Sequence, residues 1–100
     1  RLSSLELDVV AAESKIVAAE RGLDASRQVA EAIISQVKNL ETAKQRAAEA
    51  FKAGSGSQAE ELQAQSNADN ALVTLKKAEA DVIKLEAERQ LAVIHYSALR

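Results

Sequence analysis

Helix-breaking residues cluster at a single place in this 100-residue chain. The segment Ala53-Gly54-Ser55-Gly56-Ser57 holds two of the three glycines, and the sequence contains no proline. Glycine is common just after the last residue of a helix, and Ser57 followed by Glu60 has the form of a capping box that begins another helix. The sequence therefore predicts an all-α fold, with a first long helix over 1–53, a turn at 54–57 and a second long helix over 58–100.

Apolar or small residues recur along the first predicted helix at alternating steps of three and four. They are Leu2, Leu5, Val9, Ala12, Ile16, Ala19, Leu23, Ser26, Ala30, Ile33, Val37 and Leu40. This heptad spacing is typical of coiled coils, and a similar face runs along the second helix. We expect an antiparallel two-helix coiled-coil hairpin whose packing seam includes Leu23, Ile33, Val37, Leu40, Leu72, Leu75, Val82 and Leu85.

Each predicted helix also carries a second apolar stripe. In the first helix it comprises Val10, Val17, Ala18, Ala25, Val29 and Ile34, and in the second Val73, Ala80, Ile83, Ala87, Leu91, Ile94 and Ala98. Two stripes predict two neighbours for each helix, one within the hairpin and one outside it. The composition agrees, because 47% of residues are apolar but only 2% are aromatic, which favours closely packed alanine-rich helices over a bulky core. Since a lone two-helix hairpin leaves most of its surface exposed, we expect protein partners.

Several classes of function are disfavoured by composition. A net charge of −2 lacks the basic excess of nucleic-acid-binding proteins. One histidine, His95, and no cysteine exclude a His/Cys metal cluster and a Cys/His nucleophile pair, so we expect no cofactor, no metal and no enzymatic activity. No apolar run reaches the ~18 residues of a membrane span, so we expect no direct membrane insertion by this segment. The start at Arg1, already in helical register by Leu2, indicates a piece of a longer protein.

The turn and its flanks resemble the periplasmic hairpin of the TolC-like outer membrane efflux proteins. That family places an aromatic residue and a glycine at the turn, followed by an acidic-x-leucine-x-alanine segment. Here Phe51, Gly54, Glu60, Leu62 and Ala64 stand at those positions. The pattern continues through Asn70, Ala71, Leu75 and Ala78. Two departures are Glu61, where the family has an apolar residue, and the absence from this segment of the strands that form the family's membrane barrel.

The resemblance implies a wall segment of a trimeric α-helical barrel in the periplasm, built from hairpins side by side, with the parent protein in the Gram-negative outer membrane. It implies two kinds of protein partner: neighbouring hairpins, and a periplasmic adaptor that docks at the turn of this efflux or type I export component. The implied docking residues are Phe51, Gly54, Ser55, Gly56, Ser57, Glu60, Leu62 and Ala64.

Two alternatives remain open at the level of sequence. Adaptor (membrane fusion) proteins also have a helical hairpin with a glycine-containing turn, and they carry an arginine before it and a leucine after it, as Arg46 and Leu62 stand here. A purely structural coiled coil requires only the heptad pattern.

Overall fold

The computed structural model describes residues 3–100, which form two α-helices and no strand. Helix α1 spans Ser4–Lys52 and helix α2 spans Gln58–Leu99. The prediction of an all-α antiparallel helical hairpin is confirmed. The predicted helical register of Arg1 and Leu2 lies outside the described residues.

A capping box begins α1. The Glu6 amide N–H donates to the Ser3 hydroxyl at 3.1 Å, and the Ser3 amide N–H donates to the Glu6 carboxylate at 3.4 Å. These two bonds satisfy N–H groups that have no partner within the helix. The sequence prediction did not include this box, although Ser3 and Glu6 have the same spacing as Ser57 and Glu60.

The less exposed positions of α1 follow the predicted heptad spacing and define its side of the seam. Ala12, Leu23 and Ala30 are buried. The half-buried residues at the remaining seam positions are Val9, Ile16, Ala19, Ser26, Ile33, Val37, Leu40, Lys44 and Ala47. The pattern thus continues through Lys44, where the sequence interrupts the apolar series, because a lysine can cover a seam with its aliphatic stem.

In α2 the same spacing selects Ala64, Ala68, Ala71, Leu75, Ala78, Val82, Leu85, Ala92, Tyr96 and Leu99. Leu72 is the exception among the residues that we assigned to the seam, because its side chain is 38% exposed. Consecutive helical residues point about 100° apart, so Ala71 takes the inward position and leaves Leu72 at the margin. Leu72 therefore borders the seam, whereas Ala71 lies within it.

The hairpin consists of two compact units. The turn unit is Val29–Glu79 and contains the turn with the adjoining parts of both helices. Within it, Gln36 and Leu40 of α1 lie along an open groove with Asn67 and Thr74 of α2.

The terminal unit comprises residues 3–28 together with Ala80–Arg100. Two polar side-chain contacts join the helices in the described part of this unit: Arg27 forms an ion pair with Glu86 at 3.1 Å, and the Tyr96 hydroxyl donates to the Glu13 carboxylate at 3.5 Å. The later residue of α1 thus meets the earlier residue of α2, which gives the antiparallel order.

The core of the described residues is made almost entirely of alanine. Of the six buried hydrophobic residues, Leu23 alone has a large side chain, and it is 3% exposed. Alanine buries little area, so each seam contact contributes little hydrophobic free energy but allows the two helix backbones to approach closely.

Candidate functional site

The end of α1 is formed by a Schellman motif. Gly54 has a φ of +78°, its amide N–H donates to the carbonyl of Phe51 at 3.1 Å, and the amide N–H of Ser55 donates to the carbonyl of Ala50 at 2.9 Å. Glycine adopts this left-handed conformation without a steric penalty. Gly54 therefore ends α1 and reverses the direction of the chain.

The carbonyl oxygen of Ala50 accepts two further hydrogen bonds. The Gly56 amide N–H donates to it at 3.1 Å, and the Ser55 hydroxyl donates at 3.2 Å. Three donors from the turn thus converge on one acceptor in the last turn of α1. This acceptor has no sequence signature, because every residue has a carbonyl group.

The backbone at Gly56 lies close against the end of α1. A Cβ atom at position 56 would lie 3.0 Å from the Cβ of Ala50 and 3.4 Å from the amide nitrogen of Phe51. These atoms belong to a helix and cannot rotate away. The two glycines of the turn therefore have different roles: Gly54 provides the left-handed backbone, and Gly56 provides space.

Ser57 caps the beginning of α2. The amide N–H of Glu60 donates to the Ser57 hydroxyl at 3.1 Å, and that hydroxyl donates to the Glu60 carboxylate at 3.1 Å. In a standard capping box the carboxylate accepts from the backbone N–H of the serine. Here the Glu60 carboxylate instead bonds to the hydroxyl, so the two side chains form one closed unit.

Two large apolar side chains near the turn are exposed. Phe51 in the last turn of α1 is 42% exposed, and Leu62 near the beginning of α2 is 55% exposed. Ala64 is half-buried at a seam position. The turn unit thus holds all eight residues of the predicted docking region, and its ordered hydrogen bonds present Phe51 and Leu62 from a defined backbone.

The second apolar stripes lie on outward faces of the helices. Every residue of both predicted stripes is exposed. Within the terminal unit we call them the outer stripes. They comprise Val10, Val17, Ala18 and Ala25 in α1, and Ala80, Ile83, Ala87, Leu91, Ile94 and Ala98 in α2.

The side chains of residues 3–100 form no group of three or more histidine, aspartate or glutamate residues suited to holding a metal ion. Within the same range, neither helix has a stretch apolar enough to cross a membrane. The surface depressions are open grooves along the helices, such as the one bordered by Leu23, Arg27, Glu86 and Val93.

No family model, no curated protein and no solved structure matches this chain significantly. The fold itself defines the class: an all-α antiparallel hairpin with coiled-coil-like packing. An assignment of function depends on the turn and on the outward faces of the helices.

Proposed function

We propose that this chain is the periplasmic hairpin of an outer-membrane channel component in a tripartite efflux or type I export system, with a non-enzymatic role. In this proposal the helices contribute to the wall of an α-helical barrel, and the turn docks a periplasmic adaptor protein. The proposal depends on one observation, the order of five residues across the turn. They are Phe51, Gly54, Glu60, Leu62 and Ala64.

The geometry of the turn supports docking in two respects. First, Phe51 and Leu62 expose apolar surface on either side of the turn in sequence, and exposed apolar side chains are typical anchors of protein interfaces. Second, the three donors on the Ala50 carbonyl and the Ser57 cap fix the backbone between them. A fixed backbone lowers the entropy cost of binding.

The purely structural coiled coil is the second candidate, and the seam favours it. Heptad spacing over both helices accounts for the hairpin without any docking role. The two candidates differ in one respect: only a docking turn requires Phe51 and Leu62 to be apolar and exposed.

The decisive experiment changes the exposed surface of the turn while leaving its fold intact. Leu62→Lys adds a positive charge at an exposed position. Ser57→Asp adds a negative charge and keeps an acceptor for the Glu60 amide N–H, although it removes the hydroxyl that donates to the Glu60 carboxylate. Asn39→Lys is the matched control for Leu62→Lys, because it adds the same positive charge at an exposed position of α1 in the same unit. Substitution of Gly56 is unsuitable, because any side chain there would press on Ala50.

Each variant is placed in the parent protein and assayed for cross-linking to its adaptor and for export in cells. We expect Leu62→Lys and Ser57→Asp to weaken both, while Asn39→Lys behaves as the wild type and circular dichroism stays unchanged. Normal cross-linking and export in the two turn variants would overturn the docking role and favour the structural coiled coil. Cross-linking of the turn to an outer-membrane channel would instead assign the chain to the adaptor.

A further inference from the structure

The seam changes in composition along the turn unit. We call residues 41–50 of α1 and residues 61–68 of α2, which adjoin the turn, the neck, and we call residues 29–40 and 69–79 the distal part. The apolar residues of the neck that are buried or half-buried are all alanine: Ala47, Ala48, Ala50, Ala64 and Ala68. The distal part adds four larger side chains to its alanines: Ile33, Val37, Leu40 and Leu75. Because alanine buries less apolar area than these residues do, the neck gains less hydrophobic free energy from its seam.

Within residues 3–100, half-buried charged side chains occur only in the neck. They are Glu41, Lys44 and Glu61. The ion pair in this range joins Arg27 to Glu86, so none of the three has an oppositely charged partner within 4.0 Å. Glu61 accepts a hydrogen bond from the Gln65 side chain at 3.4 Å, but both residues belong to α2. Loss of hydration without a partner costs free energy, and it further weakens the contact between the two helices of the neck.

The helical segments of the neck depend on this seam for their stability. An isolated helix shorter than about 12–15 residues is marginal in water, even when it is rich in alanine. Both segments of the neck are shorter than this, so their backbone hydrogen bonds need support from the contact between the helices. A region with few buried apolar contacts opens at a lower free energy than the well-packed parts of the same structure. The neck is therefore the part of the turn unit that opens most easily.

We propose that the neck opens locally, together with the turn that it carries, while the distal part stays packed. In the closed state the hydrogen bonds to the Ala50 carbonyl hold the turn in place, and the open state is a minor population. Opening allows the turn to change its direction without unfolding of the seam in the distal part. This inference goes beyond the proposed function, because it concerns the chain by itself and requires no partner.

Three substitutions separate local opening of the neck from unfolding of the whole chain. Lys44→Leu replaces a half-buried charge of the neck with an apolar side chain. Lys38→Leu is its matched control, because Lys38 is an exposed lysine of the same helix in the distal part. Ile33→Val removes one methylene group from the seam of the distal part and leaves the neck unchanged.

The measurement is native-state hydrogen exchange of the purified 100-residue chain, read by mass spectrometry, with circular dichroism as the check on folding. In the wild type we expect the protection of amide N–H groups to be lower in the neck than in the distal part by about tenfold or more. Lys44→Leu should raise the protection of the neck about fivefold, because a larger apolar side chain enters its seam, whereas Lys38→Leu should not change it. Ile33→Val should lower the protection of the distal part about twofold or more and leave that of the neck unchanged, because Ile33 stays packed during local opening.

Equal protection of the neck and the distal part in the wild type would overturn the proposal. An equal fall in the protection of both parts in Ile33→Val would also overturn it, since the chain would then open as one cooperative unit. If Lys38→Leu protected the neck as much as Lys44→Leu did, the half-buried charge would not be the cause of the opening. None of these outcomes bears on docking at the turn, because the adaptor assay uses Leu62 and Ser57 and reads cross-linking and export.

Discussion

A Cβ atom added to Gly56 would lie 3.0 Å from the Cβ of Ala50, closer than ordinary van der Waals contact. The carbonyl of Ala50 meanwhile accepts the Gly56 amide N–H at 3.1 Å. A hydrogen bond therefore holds the turn against the end of α1, at a distance where a side chain on residue 56 would push Ala50 aside by a few tenths of an ångström.

Gly56→Ala should destabilise the hairpin by about 1–2 kcal/mol, because the added methyl group forces the turn away from Ala50. Gly22→Ala is the matched control: nothing lies within 4 Å of a Cβ atom there, and the residue is inside α1. That substitution should stabilise the chain by about 0.5–1 kcal/mol. Urea denaturation at one fixed chain concentration measures both. If both substitutions changed the stability in the same direction, the assigned role of Gly56 would be contradicted.

Gly54→Ala should cost about 1–2 kcal/mol, because the φ of +78° at this position places Cβ against the backbone. Gly54→Asn should cost less, since asparagine tolerates the left-handed conformation better than alanine does. Thermal melting followed at 222 nm distinguishes the two variants. If they melt together, backbone conformation is not what selects glycine at position 54.

Ser57→Ala should destabilise the chain by about 1 kcal/mol, because the Glu60 amide N–H loses its hydroxyl acceptor. Ser66→Ala is the comparison, since Ser66 is an exposed residue inside α2 and alanine is the better helix former. Chemical denaturation should show a lower stability for Ser57→Ala and no loss of stability for Ser66→Ala. Equal stability of the two would mean that the cap contributes nothing measurable.

Val82→Asp should lower the stability by more than about 2 kcal/mol, because a carboxylate at a half-buried seam position loses hydration without gaining a partner. Val73→Asp removes the same side chain from an exposed position of α2 and should change stability by no more than about 0.5 kcal/mol. The helical signal in circular dichroism and its melting temperature report both effects. Retained helicity in Val82→Asp would refute the position of the seam in α2.

The ion pair between Arg27 and Glu86 should contribute less than about 1 kcal/mol, because both side chains are 49% exposed and water screens their attraction. A double-mutant cycle of Arg27→Ala and Glu86→Ala measures the coupling. We expect the coupling to fall further in 0.5 M salt, as screening increases. A coupling of several kcal/mol would mean that the pair is shielded from solvent.

Local chemistry allowed much of the fold to be predicted from sequence. Gly54 and Ser57 identify the turn because a left-handed residue and an N-cap each favour particular side chains. The spacing of Leu23, Ile33 and Val37 identifies the seam because a helix repeats its faces every 3.6 residues. Apolar character alone does not separate Ala71 from Leu72: the packed structure buries Ala71 and leaves Leu72 at the margin of the seam.

Only the tertiary structure reveals contacts between residues that are far apart in the chain. Nothing in the sequence indicates that Arg27 meets Glu86, because the register between the helices depends on how the turn positions α2 beside α1. The turn geometry also shows why glycine is favoured at position 56, since a Cβ atom there would lie 3.0 Å from the Cβ of Ala50. The heptad pattern by itself determined the two helices and their inward faces, whereas the exposure of the outer stripes became visible only once the seam was packed.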